Sequence, residues 1–250
     1  MPAPRQPLSV AIITLNAATQ LAACLESVRF ADEIVVVDSG SSDGTQTLAA
    51  SFGARVIQQD WLGFGRQKQF AVGQASHDWV LCLDADERVT PDLQTSIESA
   101  LKSPSTAAFR FARCNRFLGR YLRHGEGYPD WSLRLFDRRQ SHWSDDAVHE
   151  KVEAQCRVDT LTGDLLHDSA DSLASYLSKQ NRYTTLAADM ALAAGKRASF
   201  GRIAFSPIVR FIKFYFARQG FRDGLPGLIH IVIGCFNRLM KYSKMLERQN

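Results

Sequence analysis

The chain has 250 residues, of which 45% are hydrophobic, and a formal net charge of +4, so it can bury a sizeable core and disorder is excluded as its dominant state. The five cysteines are odd in number and scattered without a CxxC pair, which argues against a disulfide framework or a zinc site and favours a reducing compartment. The longest apolar stretch, residues 225–236, contains His230 and is shorter than the roughly 20 residues that a membrane-spanning helix needs.

Apolar runs alternate with helical spacings over the first hundred residues. The segment up to Pro7 is unlike a secretory signal, so we expect a cytoplasmic protein. Buried strands are predicted at residues 9–14, 33–37, 54–57 and 79–83. Helices are predicted after the first strand, after the second strand through Phe52 with Gly53 as C-cap, and over residues 67–74. This alternation predicts an α/β fold, a Rossmann-like and mostly parallel sheet with helices on both faces.

The second half of the chain reads as a less regular region followed by helices. Thr90-Pro91 predicts a capped helix that reaches about Lys102. Strands are predicted at residues 107–113 and 132–136, and a long helix over residues 173–187. Ser206-Pro207 is predicted to cap a helix that runs to Gly220, and residues 225–246 to form another.

The C-terminal tail concentrates positive charge. From Lys196 onward eleven basic residues face two acidic ones, so the tail carries +9 and the rest of the chain −5. Bases and apolar side chains fall on different sides of the predicted helices, which indicates an amphipathic region that lies on an anionic membrane surface. The alternative is that these helices pack on the main domain or on a second subunit, with their bases solvated.

The tripeptide Asp84-Ala85-Asp86 follows a buried strand, at the point where that strand reaches the surface. Along an extended backbone both carboxylates would point the same way. Two carboxylates suit Mg²⁺ or Mn²⁺, which commonly completes its shell with substrate phosphates; a solvated turn is the alternative. Parallel sheets bind ligands at the carboxyl ends of their strands, where the predicted strands place Thr14, Asn16, Asp38, Asp84 and Asp86.

Residues 9–16, 35–45 and 83–87 together resemble the family 2 glycosyltransferases, which have the GT-A fold. Residues 63–69, 134–136 and 148–150, with the basic tail, look like the branch that contains lipopolysaccharide core β-glucosyltransferases. The resemblance covers nearly the whole chain. It divides the chain into a GT-A catalytic domain, residues 1–195, and a C-terminal amphipathic helical membrane-associating region, residues 196–250. Within the catalytic domain we expect a nucleotide-sugar half at 1–104, an acceptor and catalytic half at 105–170 and a linking helix at 171–195.

The resemblance implies an inverting, metal-dependent transfer of a sugar from a nucleotide donor. The donor would be UDP-glucose or a close relative, and the acceptor a hydroxyl of a glycolipid such as the lipopolysaccharide inner core. The expected partners are therefore a nucleotide sugar, a glycolipid and an anionic membrane surface. Nucleic acid is not expected, and a homo-oligomer is left open. The enzyme would lie peripherally on the inner face of the cytoplasmic membrane.

The resemblance also implies roles for donor-binding residues. Asp86 would hold the cation that stabilises the leaving diphosphate, and Asp84 would face the ribose or the water shell of the metal. Asp38 would accept hydrogen bonds from uracil or ribose, or else only cap its own loop. Lys68, with Arg66 as a weaker candidate, would neutralise the diphosphate, unless it is merely solvated.

Inversion needs a carboxylate that takes the proton of the acceptor hydroxyl. Glu150 is the expected base, with Asp145 and Asp146 as rivals. His167 would complete the metal shell, although a lone histidine is more often structural.

Four other functions are compatible with parts of the sequence. A glycosyltransferase of another cell-surface polysaccharide or glycolipid would have the same motifs. A sugar-1-phosphate nucleotidyltransferase should carry a glycine-rich basic loop after the first strand, and residues 16–19 show none. A non-catalytic membrane scaffold would not need Asp38, Asp86 and Glu150, and a nucleic-acid binder would not need the aliphatic helices of the tail.

Overall fold

The computed structural model describes residues 5–145, 150–168 and 172–249. The strands are β1 (Leu8–Thr14), β2 (Glu33–Asp38), β3 (Arg55–Gln58), β4 (Trp79–Asp84), β5 (Glu87–Val89), β6 (Ala108–Phe117), β7 (Arg120–Tyr121), β8 (Asp130–Asp137), β9 (Ser141–Trp143), β10 (Val152–Ala154) and β11 (Val158–His167). The α-helices are α1 (Ala18–Ser27), α2 (Thr45–Ser51), α3 (Phe64–Gln74), α4 (Pro91–Lys102), α5 (Leu173–Ala193), α6 (Phe200–Phe211) and α7 (Gly224–Glu247).

The chain forms two compact units. The first comprises Met1–Arg113 and Asp130–His167, and the second comprises Cys114–Pro129 and Asp168–Asn250. These boundaries differ from the division expected at residue 195, because α5 packs with α7 in the second unit. The functional division of the chain stays a prediction.

The sheet of the first unit has the strand order β3-β2-β1-β4-β8-β6-β11-β5. Strands β1 to β4 pair in parallel, as expected from their apolar runs and intervening helices. From β4 onward the pairing changes, since β8 is antiparallel to both β4 and β6, and β5 is antiparallel to β11. The sheet is therefore mixed, with its parallel half formed by the first four strands.

Helices cover both faces of this sheet, and two separate cores result. Because side chains alternate along a strand, Val10 faces one core and Ala11 the other. The first core contains Leu21 of α1 and Leu93 of α4, whereas the second contains Val72 of α3. Helix α4 begins as predicted, since the Thr90 side chain accepts a hydrogen bond from the Leu93 amide and Pro91 takes the first helical position. The predicted two-sided α/β architecture is confirmed.

The second unit is built mainly from α5, α6 and α7. Helices α5 and α7 pack through Ala188, Ala191 and Met245, all buried. The ammonium of Lys244 on α7 donates to the backbone carbonyl of Asn181 on α5 at 2.9 Å. At least one base of the tail is thus committed to packing between helices.

Helix α6 does not begin where the sequence predicted. It starts at Phe200, with the Ser199 side chain accepting from the Arg202 amide, and Pro207 lies inside the helix. Ser206-Pro207 is therefore not the cap, because Ser199 supplies the earlier capping group. The α-helix also stops before Gly220: residues 212–217 form a π-helical turn and residues 220–223 a short 3₁₀ turn.

Among the described residues, the helices are all too short or too polar to span a bilayer.

Candidate active site

The loops after β1 and β2 are joined by one buried carboxylate. Asp38, at the end of β2, accepts hydrogen bonds from Thr14 Oγ1 at 2.8 Å, the Ser41 amide at 2.8 Å and Gln46 Nε2 at 2.6 Å. Burial raises the pKa of Asp38, but the bonds from Ser41, Gln46 and Thr14 outweigh that effect and hold the pKa below its usual range. In this structure Asp38 holds its own loop, and its contact with a nucleotide stays a prediction.

Asn16 holds the same pair of loops from the other side. Its backbone is in the left-handed region, with φ at 50°. Its side-chain Oδ1 accepts from the backbone amide of Ser42 at 3.0 Å, and its backbone amide donates to Ser41 Oγ at 2.7 Å. Thr14, Asn16 and Asp38 therefore lie together, as the strand ends predicted.

The acidic tripeptide lies on the same edge, since Asp84 of β4 is the register partner of Ile13 on β1. Strand β4 ends at Asp84, and residues 85 and 86 form a turn. The alternation expected of an extended backbone thus stops before Asp86. The two carboxylates contact different partners, while Ala85 packs against the core as predicted.

Asp84 is held between two cations. Its Oδ1 is 3.1 Å from Lys68 Nζ, and its Oδ2 is 2.9 Å from Arg134 Nη2. Burial raises the pKa of the Asp84 carboxyl, but the charges of Arg134 and Lys68 outweigh burial and lower that pKa strongly. Asp84 is therefore ionised, and both of its oxygens are in use.

Asp86 faces His167, at the end of β11. The distance from His167 Nε2 to Asp86 Oδ2 is 3.3 Å. Burial lowers the pKa of His167, but the hydrogen bond that the imidazole donates to Asp86, together with the negative charge of Asp86, outweighs burial and raises the pKa. The expected proximity of these two side chains is present.

The pair Asp86 and His167 fits two positions in the shell of a divalent cation. One carboxylate and one imidazole are ligands that Mn²⁺ accepts, and Mg²⁺ likewise needs only one or two protein carboxylates beside phosphates and water. Within residues 5–145, 150–168 and 172–249, no group of three or more His, Cys, Asp or Glu side chains converges on one metal position. A cation here would therefore take its remaining ligands from a substrate and water.

Arg134 and Glu87 are buried members of the site that received no role from the sequence. Arg134 Nη2 lies 3.0 Å from Glu87 Oε1, and Glu87 Oε2 accepts from the Asp84 amide at 2.9 Å. Arg113 Nη1 also contacts Glu87, at 3.4 Å. One signal pointed to Arg134: it is a charged residue in the middle of the apolar run of β8, where burial demands a charged partner.

Lys68 on α3 is buried, so the alternative that it is merely solvated is wrong. Its ammonium lies 3.1 Å from Glu150 Oε1 as well as contacting Asp84. It also sits over the Trp143 ring, 4.8 Å from the centroid. The guanidinium of Arg134 lies 5.4 Å from the same centroid, so Trp143, a residue of the second core, contacts both cations. The structure thus brings Lys68, Asp84 and Glu150 into one cluster.

The rivals of Glu150 differ from it in their surroundings. The Glu150 side chain is 21% exposed and ion-paired to a buried lysine, whereas Asp145 is 80% exposed and lies 3.8 Å from the exposed Arg66. Asp146, like His149 of the sequence motif, lies outside the described residues. Of the described candidates, Glu150 is the carboxylate that belongs to the cluster.

Comparison with known proteins identifies the family. Residues 9–155 match the glycosyl transferase family 2. The chain belongs to this family. A lipopolysaccharide core biosynthesis glycosyltransferase, LpsC of Rhizobium meliloti (strain 1021), is 34% identical over 98% of the chain and 94% of LpsC. An uncharacterized glycosyltransferase of Rickettsia typhi is 30% identical over 96% of the chain and 87% of that protein.

The fold of this family 2 glycosyltransferase is GT-A. The mannosyltransferase PcManGT from Pyrobaculum calidifontis, solved in complex with GDP-Man and Mn²⁺, matches 100% of the chain and 90% of PcManGT with a TM-score of 0.52. The two sequences are 17% identical, so the likeness concerns the fold. Membership of a glycosyltransferase family favours an enzyme of glycosyl transfer over the nucleotidyltransferase alternative.

Proposed function

We propose that this glycosyltransferase is an inverting, metal-dependent hexosyltransferase that moves glucose from UDP-glucose to a hydroxyl of a glycolipid. The observation that carries the proposal is the clustering of Lys68, Asp84 and Glu150 at the carboxyl end of the parallel strands. A buried ammonium beside a carboxylate that can accept a proton suits a reaction that creates negative charge on the leaving group and releases a proton from the acceptor.

Lys68 would bind the diphosphate of the donor. Its ammonium lies in a buried cluster where a charge acts more strongly than in water. A divalent cation at Asp86 and His167 would supply Lewis-acid stabilisation of the leaving diphosphate. Asp84 is held by ion pairs with Lys68 and Arg134. It would therefore keep the Lys68 ammonium at the site instead of letting it turn towards solvent.

Glu150 would act as the general base. As the acceptor oxygen forms its bond to the anomeric carbon, the bond from that carbon to the diphosphate oxygen breaks, and the electron pair leaves with UDP. The proton of the acceptor hydroxyl passes to the Glu150 carboxylate. Attack opposite the leaving group inverts the anomeric centre. Lys68 would orient Glu150 through their 3.1 Å contact. The same side chain would then contact both the diphosphate of the donor and the general base.

The name of the Rhizobium relative supports the choice of acceptor. That protein is described as acting in lipopolysaccharide core biosynthesis, and the match extends over 94% of its length. We therefore propose the lipopolysaccharide inner core as the acceptor, with another cell-surface glycolipid as the alternative. Glucose as the transferred sugar rests on the resemblance of the motifs alone.

The second unit exposes an apolar surface that would suit a lipid-linked acceptor. Its apolar side chains are each more than half exposed: Phe200, Phe205, Ile208, Val209, Ile212 and Phe216. Contiguous exposed apolar side chains of this kind mark an interaction surface, and Lys196, Arg197, Arg202 and Lys213 lie in the same stretch of sequence. We propose that this surface lies on the anionic inner face of the cytoplasmic membrane.

Two bases assigned to this surface from the sequence are committed elsewhere. Arg210 makes a two-pronged ion pair with Glu126, and Arg218 Nη2 donates to the Tyr128 carbonyl at 2.9 Å. Two of the eleven bases of the tail, Arg210 and Arg218, therefore have partners within the protein. The proposed attraction to lipid rests on the remaining bases.

Vesicle flotation tests the membrane contact. Serine substitutions at Phe205, Val209 and Phe216 should leave folding intact, because these side chains are exposed, but should release the protein from vesicles that contain anionic lipid. Serine at Leu118, an exposed side chain outside this stretch, is the matched control. Flotation of the triple variant equal to that of the wild type would contradict a membrane role for this surface.

A transfer assay tests the proposed activity directly. The protein, Mn²⁺ and a panel of UDP-glucose, UDP-galactose and GDP-mannose would be incubated with truncated lipopolysaccharide that ends in the inner core. We expect the addition of one hexose from UDP-glucose by mass spectrometry, with a β-anomeric signal by NMR. If the sugar were transferred from another donor, the proposed donor, UDP-glucose, would be wrong. An α-linked product would contradict the proposed inverting mechanism.

A further inference from the structure

A second feature of the first unit is a group of exposed apolar side chains around the start of α3. Trp61 is 49% exposed, Leu62 43% and Phe64 56%. The rings of Trp61 and Phe64 meet edge to face, with centroids 4.8 Å apart. We call residues 61–64 the aromatic loop. Large apolar side chains that stay exposed together indicate a surface that a ligand covers.

The aromatic loop is fixed from beneath. The side chain of Gln67 is fully buried; its Oε1 accepts from the Leu62 amide at 3.2 Å, and its Nε2 donates to Ser39 Oγ at 3.0 Å. Gly63 has φ at +94°, a conformation that side chains other than hydrogen strain to adopt. The loop is therefore held in one conformation before any ligand binds, which lowers the entropy cost of binding.

The aromatic loop lies beside the proposed base. Helix α3 approaches Ser144 so closely that any Cβ at Gly65 would collide with the Ser144 carbonyl oxygen, and that Cβ would lie 3.4 Å from the Glu150 Cβ. The Phe64 ring centroid is 6.0 Å from Lys68 Nζ, which itself contacts Glu150. The Phe64 ring and the Glu150 carboxylate thus lie near the same ammonium, and Trp61 lies against the Phe64 ring.

We propose that Trp61 and Phe64 form the subsite for the acceptor sugar, the ring that carries the hydroxyl to be glycosylated. A pyranose has one face of C–H bonds and an edge of hydroxyls. The C–H face stacks on the electron-rich face of an aromatic ring, which leaves the hydroxyl edge free to reach Glu150. This subsite rests on the proposed function, because it takes Glu150 as the base.

Two other occupants make different predictions. If the loop stacked on the nucleobase of the donor, substitutions there would weaken the binding of UDP as much as the binding of the acceptor. If the loop instead inserted into lipid, the substitutions would leave the KM of a water-soluble acceptor without acyl chains unchanged. Both alternatives can be separated from a sugar subsite in one set of experiments.

The test uses Trp61→Ala and Phe64→Ala, with Trp131→Ala as the matched control. Trp131 is 48% exposed in the same unit, and Arg110 covers its ring at 5.1 Å. The acceptor is delipidated lipopolysaccharide inner-core oligosaccharide, and the donor is UDP-glucose. We expect the acceptor KM to rise by about tenfold in each variant, with the Kd of UDP and the kcat little changed and the control unaffected.

A binding measurement keeps the subsite testable apart from turnover. Saturation-transfer NMR of the same oligosaccharide, in the Glu150→Gln background, should show contacts that the additional Trp61→Ala substitution removes. Transfer by the wild type with unchanged acceptor KM in both variants overturns the subsite and leaves the proposed function standing. An equal loss of UDP affinity, or an effect confined to vesicle-bound acceptor, also overturns it. Trp61-dependent oligosaccharide binding without transfer supports the subsite and contradicts the proposed function.

Discussion

Arg134 and Glu87 form an ion pair in which both side chains are buried, with Nη2 and Oε1 3.0 Å apart. Burial lowers the pKa of the Arg134 guanidinium, but the charges of Glu87 and Asp84 outweigh burial and raise that pKa. The pair spans 47 residues of sequence and links β8 to the acidic turn. A buried ion pair stabilises a protein little more than apolar side chains of the same size would, but removal of one partner is strongly destabilising. The contribution of this pair to stability is therefore best measured by replacing one of its members.

Arg134→Met should therefore destabilise the protein by about 3 kcal/mol, since it leaves the buried carboxylate of Glu87 without its main partner. The measurement is the free energy of unfolding in urea. Arg29→Met is the matched control: its ion pair with Glu26, at 3.3 Å, is exposed on both sides, and its loss should cost less than about 1 kcal/mol. Equal effects of the two substitutions would show that burial does not govern the Arg134 pair.

The sequence predicted the parts of this molecule that local chemistry determines. The strands of the parallel half follow from apolar runs, and the start of α4 follows from Thr90 and Pro91. Residues 16, 38, 84 and 86 could be assigned to one edge because parallel strands share their carboxyl ends. Those assignments needed only the positions of the strand ends along the chain and the expectation that the strands are parallel.

The contacts that span the chain could not be predicted in the same way. The sequence left open whether Lys68 binds the diphosphate or is merely solvated, because its partners Asp84 and Glu150 lie 16 and 82 residues away. The ion pair between Arg210 and Glu126 could not be predicted either, because the two residues are 84 positions apart and a helical pattern relates only residues of one helix. The start of α6 was misplaced because Ser199 and Ser206 are both possible capping residues, and local sequence does not rank them.

Metal binding should depend on Asp86 and His167. In the wild type, Mn²⁺ should tighten the binding of UDP measured by calorimetry, because a cation held by Asp86 and His167 would attract the negatively charged diphosphate. Asp86→Ala should abolish this enhancement, and His167→Ala should weaken Mn²⁺ binding by at least about tenfold. His142→Ala alters an exposed histidine that pairs with Glu153 and serves as control. Retention of the full Mn²⁺ effect in both site variants would contradict the metal role.

Glu33 should contribute a pH-dependent term to stability. Its carboxylate accepts from Ser9 Oγ at 2.5 Å, the Ser76 amide at 2.7 Å and Arg55 Nη2 at 2.8 Å. Burial raises the pKa of Glu33, but these hydrogen bonds outweigh it and lower the pKa to about 2. Because the folded-state pKa lies below the ordinary value of 4.5, the contribution is complete above that value and is lost as the pH falls towards about 2.

Glu33→Gln should thus be less stable than the wild type at pH 7, by about 1 to 2 kcal/mol after allowance for solvent screening. The difference should shrink between pH 4.5 and pH 2. Urea unfolding across this range provides the measurement, with Glu26→Gln, in an exposed pair, as control. A constant difference between Glu33→Gln and the wild type down to pH 2 would be inconsistent with a lowered pKa.

The most direct test of glycosyl transfer at this site is the effect of Glu150→Gln on catalysis and on donor binding, measured on one preparation. The substitution keeps the size of the side chain but removes its capacity to accept the acceptor proton. The kcat of transfer should fall by about 10²- to 10⁴-fold, while the Kd of UDP-glucose should stay within about threefold of the wild type, less than about 1 kcal/mol. Transfer at the wild-type rate by Glu150→Gln would contradict the account and move the base elsewhere, with Asp145 as the next residue to replace.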